Sequence, residues 1–242
     1  MMPAERRTTS AAARASAVLA APTDSAHARR GGLGAKTVPS SVVCIGVDGG
    51  CVLSGALIGS NWVLTVHRGL GGVSGCRVDR GDGESVRVDR QYRAPAGDMA
   101  LLRLVSPLDG GRMWGAVGEG YVPLAAGTDQ SPKGGDLVYA MGYGSGELEV
   151  AEQRVTSYGP DGSYGMTGAA SVVGGAAFVG GSGGPVLRSD GKGGLRLIGV
   201  VSGGTVFAEG NSRAWFAGGP TVWSTDGNGV MNRDWIKNTT GI

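Results

Sequence analysis

The sequence predicts an all-β protein, and three observations support this class. Glycine accounts for 48 of the 242 residues, about a fifth against a usual share of roughly 7%, which is typical of turn-rich β structure or of disorder. Short apolar runs decide for β structure, because runs bounded by turn residues are the signature of strands. They lie at 42–47, 62–66, 99–105 and 195–201. The length also fits, since barrel proteins reach about 200–250 residues as one unit.

The chain begins with a segment that does not resemble part of a fold. Within residues 1–38, Arg6 and Arg7 precede an Ala-rich stretch at 8–22, the layout of a secretion signal. Arg14 interrupts that stretch, and a disordered Ala/Arg/Ser tail is the alternative. We expect residues 1–38 to be a leader and linker, and the protein to be secreted.

The first half of the chain contains a histidine at the end of a predicted strand. His67 follows the apolar run 62–66, whereas the other histidine, His27, lies in the leader. Asp98 opens a second apolar run, 98–104, which would draw its carboxylate toward a buried position. These are the base and the orienting group that a nucleophilic mechanism requires.

The second half contains a serine within a glycine-rich turn. The stretch GGSGGP at 180–185 suits a nucleophile whose backbone turns tightly and exposes its N–H groups. Alone, such a string is typical of a flexible linker. The apolar residues that follow it, and the strand-like run 197–201, place it inside the domain instead. His67, Asp98 and Ser182 therefore form the candidate catalytic triad.

The order of these three residues separates folds that carry the same groups. An α/β-hydrolase places its histidine after its serine, and no histidine follows Ser182. The subtilisin order would need Asp24, in the leader, or Asp48, in an Asp-Gly-Gly turn. Histidine, aspartate and then serine is the order found in the chymotrypsin-type β-barrels.

Six groups of motifs occur in order along the chain. They lie at 53–58 with 61–65, 97–104, 138–144, 199–204, 220–223 and 234–237. Together they resemble the trypsin-like (chymotrypsin-fold) serine peptidase family over about residues 39–239. The resemblance implies two packed six-stranded antiparallel β-barrels with a short C-terminal helix. It places the first barrel at about 39–125, the second at about 126–230 and the helix at about 230–239.

The same resemblance implies a serine endopeptidase secreted by a bacterium and acting as a monomer on a polypeptide substrate. Ser182 would attack the peptide carbonyl, His67 would take its proton and Asp98 would hold the imidazole. The backbone N–H groups of Gly180 and Ser182 would form the oxyanion hole. No metal or organic cofactor is implied. The expected substrate-binding residues are Ala176, Ala177, Ser202, Gly203, Gly204 and Thr221.

The resemblance also implies a preference for uncharged substrates. Ala176 stands six residues before Ser182, where an acidic residue selects Lys or Arg in the family. Gly204 leaves the wall of this pocket open, and Thr221 narrows its depth. Glu209 is the one nearby carboxylate that could reverse the preference. Ser202 is expected to lie beside Asp98.

The chain departs from the family around the histidine. One residue separates Thr65 from His67 where the family has two, which displaces the imidazole. Arg68 replaces the usual cysteine after the histidine, and Leu53 replaces its disulfide partner. The shortened segment makes a non-catalytic homologue that binds a protein the first alternative to an endopeptidase. An esterase is the second alternative, because the same triad can carry out that chemistry.

A second departure concerns activation. Gly181 stands where the family has an acidic residue, and the I-V-G-G sequence is absent near residues 30–40. In the family these two elements pair as a switch, in which a newly cut N-terminus orders the oxyanion hole. We therefore expect no such switch here.

Composition excludes some partners. Charged residues make up 17% and the net charge is +2, which does not indicate nucleic-acid binding. No apolar run reaches the ~18 residues of a membrane helix, so we expect no membrane partner.

Three cysteines cannot all pair within one chain. A bridge from Cys44 to Cys51, a bridge from Cys51 to Cys76, and three reduced thiols are the alternatives, and each leaves a free thiol. The acidic cluster at 79–84 is interpreted as a solvated hairpin turn, with a calcium site as the alternative.

Overall fold

The computed structural model describes residues 41–242 except 48, 96, 112–119, 126–134, 144–147, 161–168, 176–180, 193, 207–211 and 219–231. At 156–160, 169–175, 203–206 and 212–218 it describes the backbone alone. The predicted leader at 1–38 lies outside these residues, and the predicted domain limits stay predictions.

The first six strands close into an antiparallel barrel. They are β1 (Val42–Val47), β2 (Gly50–Gly59), β3 (Trp62–Thr65), β4 (Cys76–Asp79), β5 (Ser85–Arg93) and β6 (Ala100–Leu104). Their order around the barrel is β1-β2-β3-β6-β5-β4. Strand β6 therefore lies between β3, which leads to His67, and β5.

The second six strands form another closed barrel, with the order β10-β11-β12-β9-β8-β7. They are β7 (Leu137–Tyr143), β8 (Leu148–Pro160), β9 (Ala169–Gly175), β10 (Pro185–Ser189), β11 (Leu195–Val206) and β12 (Ser212–Gly218). The helix α1 (Asn232–Thr240) follows. The predicted all-β class with two six-stranded barrels and a short terminal helix is confirmed.

The core of the first barrel extends into the second, which also has a smaller core of its own. Met141, Leu187 and Leu197 of the second barrel belong to the same buried cluster as the apolar residues of the first. Ile236 of α1 is fully buried in that cluster, which fixes the helix against the barrels. No helix in the described part of the chain is long and apolar enough to cross a membrane.

The apolar run at the start of β6 is buried and takes Asp98 into the interior, as the sequence predicts. Met99, Ala100, Leu101 and Leu102 have no exposed surface. Because burying this run removes apolar area from water, the residue before it follows into the interior. Asp98 is accordingly 0% exposed.

The cysteines adopt one of the predicted alternatives. Cys44 of β1 and Cys51 of β2 form a disulfide, and Cys76 of β4 is free and buried. Burial raises the pKa of the Cys76 thiol above its ordinary value, and the nearby negative charge of Asp79 raises it further.

Candidate active site

The Asp98 carboxylate is bound by groups from both barrels. The Ser202 hydroxyl, from β11, donates to Asp98 Oδ2 at 2.8 Å. The backbone N–H of Arg68 donates to Asp98 Oδ1 at 2.8 Å. A carboxylate with no exposed surface needs such donors, because an unpaired buried charge is costly. Ser202 thus lies where the resemblance expects it, against Asp98.

The Arg68 side chain also reaches this carboxylate. Its Nη2 lies 3.8 Å from Asp98 Oδ2, and the side chain is 35% exposed. The same Nη2 donates to the Ser202 carbonyl oxygen. The guanidinium therefore supplies the positive charge nearest to Asp98, in a place that a triad assigns to the imidazole.

The His67 imidazole faces a different partner. Its Nδ1 lies 2.9 Å from Gln91 Nε2, and Gln91 lies in β5, opposite Leu102 of β6. Among the hydrogen bonds between described residues, none joins His67 to Asp98 or to Ser182. The structure therefore places His67 just after β3 and Asp98 just before β6, two paired strands, without bonding the two residues to each other.

The turn that carries Ser182 is held by backbone hydrogen bonds. The Ser182 carbonyl accepts from the Ser54 N–H at 2.7 Å, and the Gly183 N–H donates to the Val201 carbonyl at 2.7 Å. Gly183 has φ 88°, in the left-handed region that favours glycine. A Cβ atom at Gly184 would overlap the Met141 carbonyl oxygen. The turn thus lies directly on backbone of both barrels.

Ser54 is a site residue that sequence reasoning did not single out. It is fully buried. Its Oγ accepts from the Tyr143 N–H at 2.8 Å, and its carbonyl accepts from Thr65 Oγ1 at 2.6 Å. Together with its bond to Ser182, these contacts connect β2, the end of β3, β7 and the serine turn. Its only sequence signal was membership of the motif at 53–58.

The sequence offered even less indication that Gln91 and the Arg68 side chain belong to the site. Gln91 belongs to no motif, and its approach to His67 depends on how β5 pairs with β6. Arg68 was noted only for replacing a cysteine. The shortened spacing between Thr65 and His67 was the one feature that pointed to a displaced imidazole.

Several predicted site residues lie outside the described part of the chain. They are Gly180, Ala176, Ala177, Thr221 and Glu209. Gly203 and Gly204 lie in β11, where they pair with Trp215 and Ala214 of β12. The oxyanion hole and the specificity pocket therefore remain predictions.

The acidic cluster at 79–84 forms ion pairs with an arginine of the same segment. Arg80 Nη2 lies 2.6 Å from Asp82 Oδ2 and 2.8 Å from Glu84 Oε2. The hydrogen bond from Arg80 lowers the pKa of the Asp82 carboxyl. Within the described ranges, no group of three His, Cys, Asp or Glu side chains could hold a metal ion.

Comparison with known proteins agrees with this architecture. Residues 53–200, more than half of the chain, match the family model described as a trypsin-like peptidase domain. Among solved structures, the chain is similar to Rv3671c from M. tuberculosis H37Rv, crystallised as a serine-to-alanine mutant in an inactive form. That match has 23% identity and a TM-score of 0.54, and it covers 74% of this chain and 81% of the other. No curated protein sequence matches the chain. The chain therefore belongs to the trypsin-like peptidase domain family, a family of serine proteases.

Proposed function

We propose that this protein is a serine endopeptidase that cleaves polypeptides through an acyl-enzyme on Ser182. One observation carries the proposal. The turn that holds Ser182 is bonded to Val201 of β11, and the next residue of that strand, Ser202, binds the buried Asp98 carboxylate. A nucleophile and a buried carboxylate anchored to consecutive residues suit a catalytic triad, and a binding surface has no need of that arrangement.

The proposed chemistry is acyl transfer. Ser182 Oγ forms a bond to the carbonyl carbon of the scissile peptide while its proton passes to His67. The imidazolium then gives this proton to the amine that leaves, and water hydrolyses the ester that remains on Ser182. Asp98 would stabilise the imidazolium, which requires His67 to exchange Gln91 for Asp98 as its partner.

A second candidate is a non-catalytic homologue that binds a polypeptide in the same cleft. It is favoured by the position of Arg68, whose guanidinium lies 3.8 Å from Asp98 Oδ2. Arginine keeps its proton at every pH at which proteins fold, so Arg68 cannot act as the base for Ser182. In this candidate the carboxylate has a structural partner and no catalytic one.

Reaction of the full chain with a fluorophosphonate probe tests the proposal. Such a probe phosphonylates a serine only when its hydroxyl is activated, so we expect peptide mapping to find the label on Ser182. Ser182→Ala is the matched control, since it removes one oxygen and leaves the turn intact. A folded wild-type chain that shows neither label on Ser182 nor hydrolysis of peptides would support the binding module instead.

A further inference from the structure

We propose that Arg68 keeps this site in a resting arrangement, and that its release from Asp98 assembles the triad. The inference rests on the proposed peptidase function. In the resting arrangement two pairs, Arg68 with Asp98 and His67 with Gln91, replace the single pair of His67 with Asp98. An extended polypeptide on β11 would exchange these partners.

The first step of the argument concerns the carboxylate. Asp98 Oδ1 is occupied by the Arg68 backbone N–H, a donor that every residue except proline keeps. Oδ2 is the oxygen left for an imidazole, and it has the Ser202 hydroxyl at 2.8 Å and the Arg68 guanidinium at 3.8 Å. A second cation beside this oxygen would be repelled by the first. The guanidinium therefore opposes an imidazolium at Asp98.

The second step concerns the imidazole. The Gln91 amide nitrogen faces His67 Nδ1 at 2.9 Å. With the Gln91 amide in this orientation its N–H donates, so Nδ1 accepts and the ring proton of the neutral imidazole stands on Nε2. A base for Ser182 needs the opposite tautomer, with Nδ1 protonated toward Asp98 and Nε2 free. Both pairs thus oppose deprotonation of the serine, so a small probe should label Ser182 of the wild type slowly.

The third step identifies what releases Arg68. Its guanidinium also donates to the carbonyl oxygen of Ser202. Ser202 lies at a register shift between Val201 and Gly203, where the ladder from β11 to β12 skips one residue. Such a bulge takes a residue out of the ladder, so its carbonyl is available to another donor. The backbone N–H of an extended peptide added along β11 would compete for this oxygen.

The occupant that this argument predicts is a polypeptide in extended form. A small probe that contacts only Ser182 has no N–H to offer to the Ser202 carbonyl, and leaves Arg68 in place. A peptide long enough to pair with β11 displaces the guanidinium and assembles the triad as it binds. Peptide substrates should therefore react faster than small esters relative to their intrinsic reactivity.

Labelling rates of Arg68 variants test the proposal. Arg68→Met keeps much of the aliphatic stem and removes the charge, whereas Arg68→Lys keeps the charge and is the matched control. We expect Arg68→Met to accelerate fluorophosphonate labelling of Ser182 by about tenfold or more, in the range of measured coupling energies between sites. Arg68→Lys should label at nearly the wild-type rate. Equal urea unfolding midpoints would show that the variants are folded.

A spectroscopic readout separates the resting arrangement from a purely structural role of Arg68. Nitrogen-15 NMR of the imidazole distinguishes a protonated Nδ1 from one that accepts a hydrogen bond. We expect His67 Nδ1 to accept in the free wild-type chain and to carry the proton in Arg68→Met. An unchanged His67 signal in Arg68→Met would overturn the proposal.

Arg68→His completes the set, because it places an imidazole next to Asp98. Labelling of the wild type with no acceleration in Arg68→Met overturns the resting arrangement and leaves the peptidase standing. Labelling of Arg68→His alone overturns it too, and shows that Arg68 has replaced the base in a binding module. If no variant is labelled, the proposed peptidase function itself fails.

Discussion

The backbone N–H of Ser54 donates to the carbonyl oxygen of Ser182 at 2.7 Å. This bond joins β2 of the first barrel to the turn that carries the proposed nucleophile. The Ser54 hydroxyl accepts from the Tyr143 N–H of the second barrel at 2.8 Å. Ser54 of the first barrel thus binds the second barrel at two points, the serine turn and β7.

The first prediction concerns this residue. Ser54→Ala removes a fully buried hydroxyl and leaves the part-buried Tyr143 N–H without this acceptor, so we expect the free energy of unfolding to fall by about 1–3 kcal/mol. Labelling of Ser182 should slow as well. Urea unfolding and probe kinetics measure the two effects. Ser60→Ala is the control, because the exposed Ser60 hydroxyl donates only to the side chain of its neighbour Asn61. Equal losses in both variants would contradict the assigned role.

The second prediction concerns the triad as a unit. Ser182→Ala, His67→Ala and Asp98→Asn should each lower kcat for peptide hydrolysis by about 10⁴-fold or more, and a double variant should be little worse than a single one. Groups that act in one step lose their function together. Steady-state kinetics on a peptide substrate measure this. Losses that multiply in the double variant would show that the three residues do not share one mechanism.

The third prediction concerns the primary specificity. With Ala176 at the predicted floor of the pocket, a substrate ammonium would be buried without a partner, which costs several kcal/mol. Cleavage should therefore follow small or medium uncharged residues such as Ala, Val, Leu or Met, as a peptide-library profile would reveal. A profile dominated by Lys or Arg would refute this assignment. Glu209→Gln would then show whether that carboxylate selects them.

The fourth prediction concerns alkaline pH. Burial, and secondarily Asp79, raise the pKa of Cys76 in the folded state, so its neutral thiol stabilises the fold fully below the ordinary thiol pKa. This contribution is lost as the pH rises through the raised value. Between about pH 7.5 and 9.5, a span that includes the ordinary thiol pKa, the urea midpoint of the wild type should fall more than that of Cys76→Ala. Parallel pH profiles would contradict it.

Local apolar runs were sufficient to predict β1, β3, β6 and the first half of β11, and the burial of Asp98, whereas the other strands were expected mainly from the family resemblance. The run at 99–102 is fully buried, and it draws the carboxylate with it. The contact between Gln91 and His67, in contrast, could not be predicted from a local run. It depends on a register shift between Val88 and Arg90 in the pairing of β5 with β6. A shift of one residue reverses which side chain faces a neighbour, and no local pattern encodes it.

The role of Arg68 could be predicted only in part. The shortened spacing after Thr65 predicted a displaced imidazole, and the structure bonds the backbone N–H of the following residue to Asp98. What local reasoning could not supply was the direction of the Arg68 side chain. Its second acceptor is the Ser202 carbonyl, 134 positions away along the chain. Contacts across such separations are decided by the packing of the two barrels.

The serine turn packs directly against backbone peptide groups, and the surroundings of Gly184 show how close this contact is. A Cβ atom there would overlap the carbonyl oxygen of Met141, so no side chain separates the turn from β7. Exchanging exposed side chains near Ser182 leaves these backbone contacts in place. Variants of this protein can therefore change their substrate preference without moving Ser182, whereas the methyl group added by Gly184→Ala would displace the nucleophile.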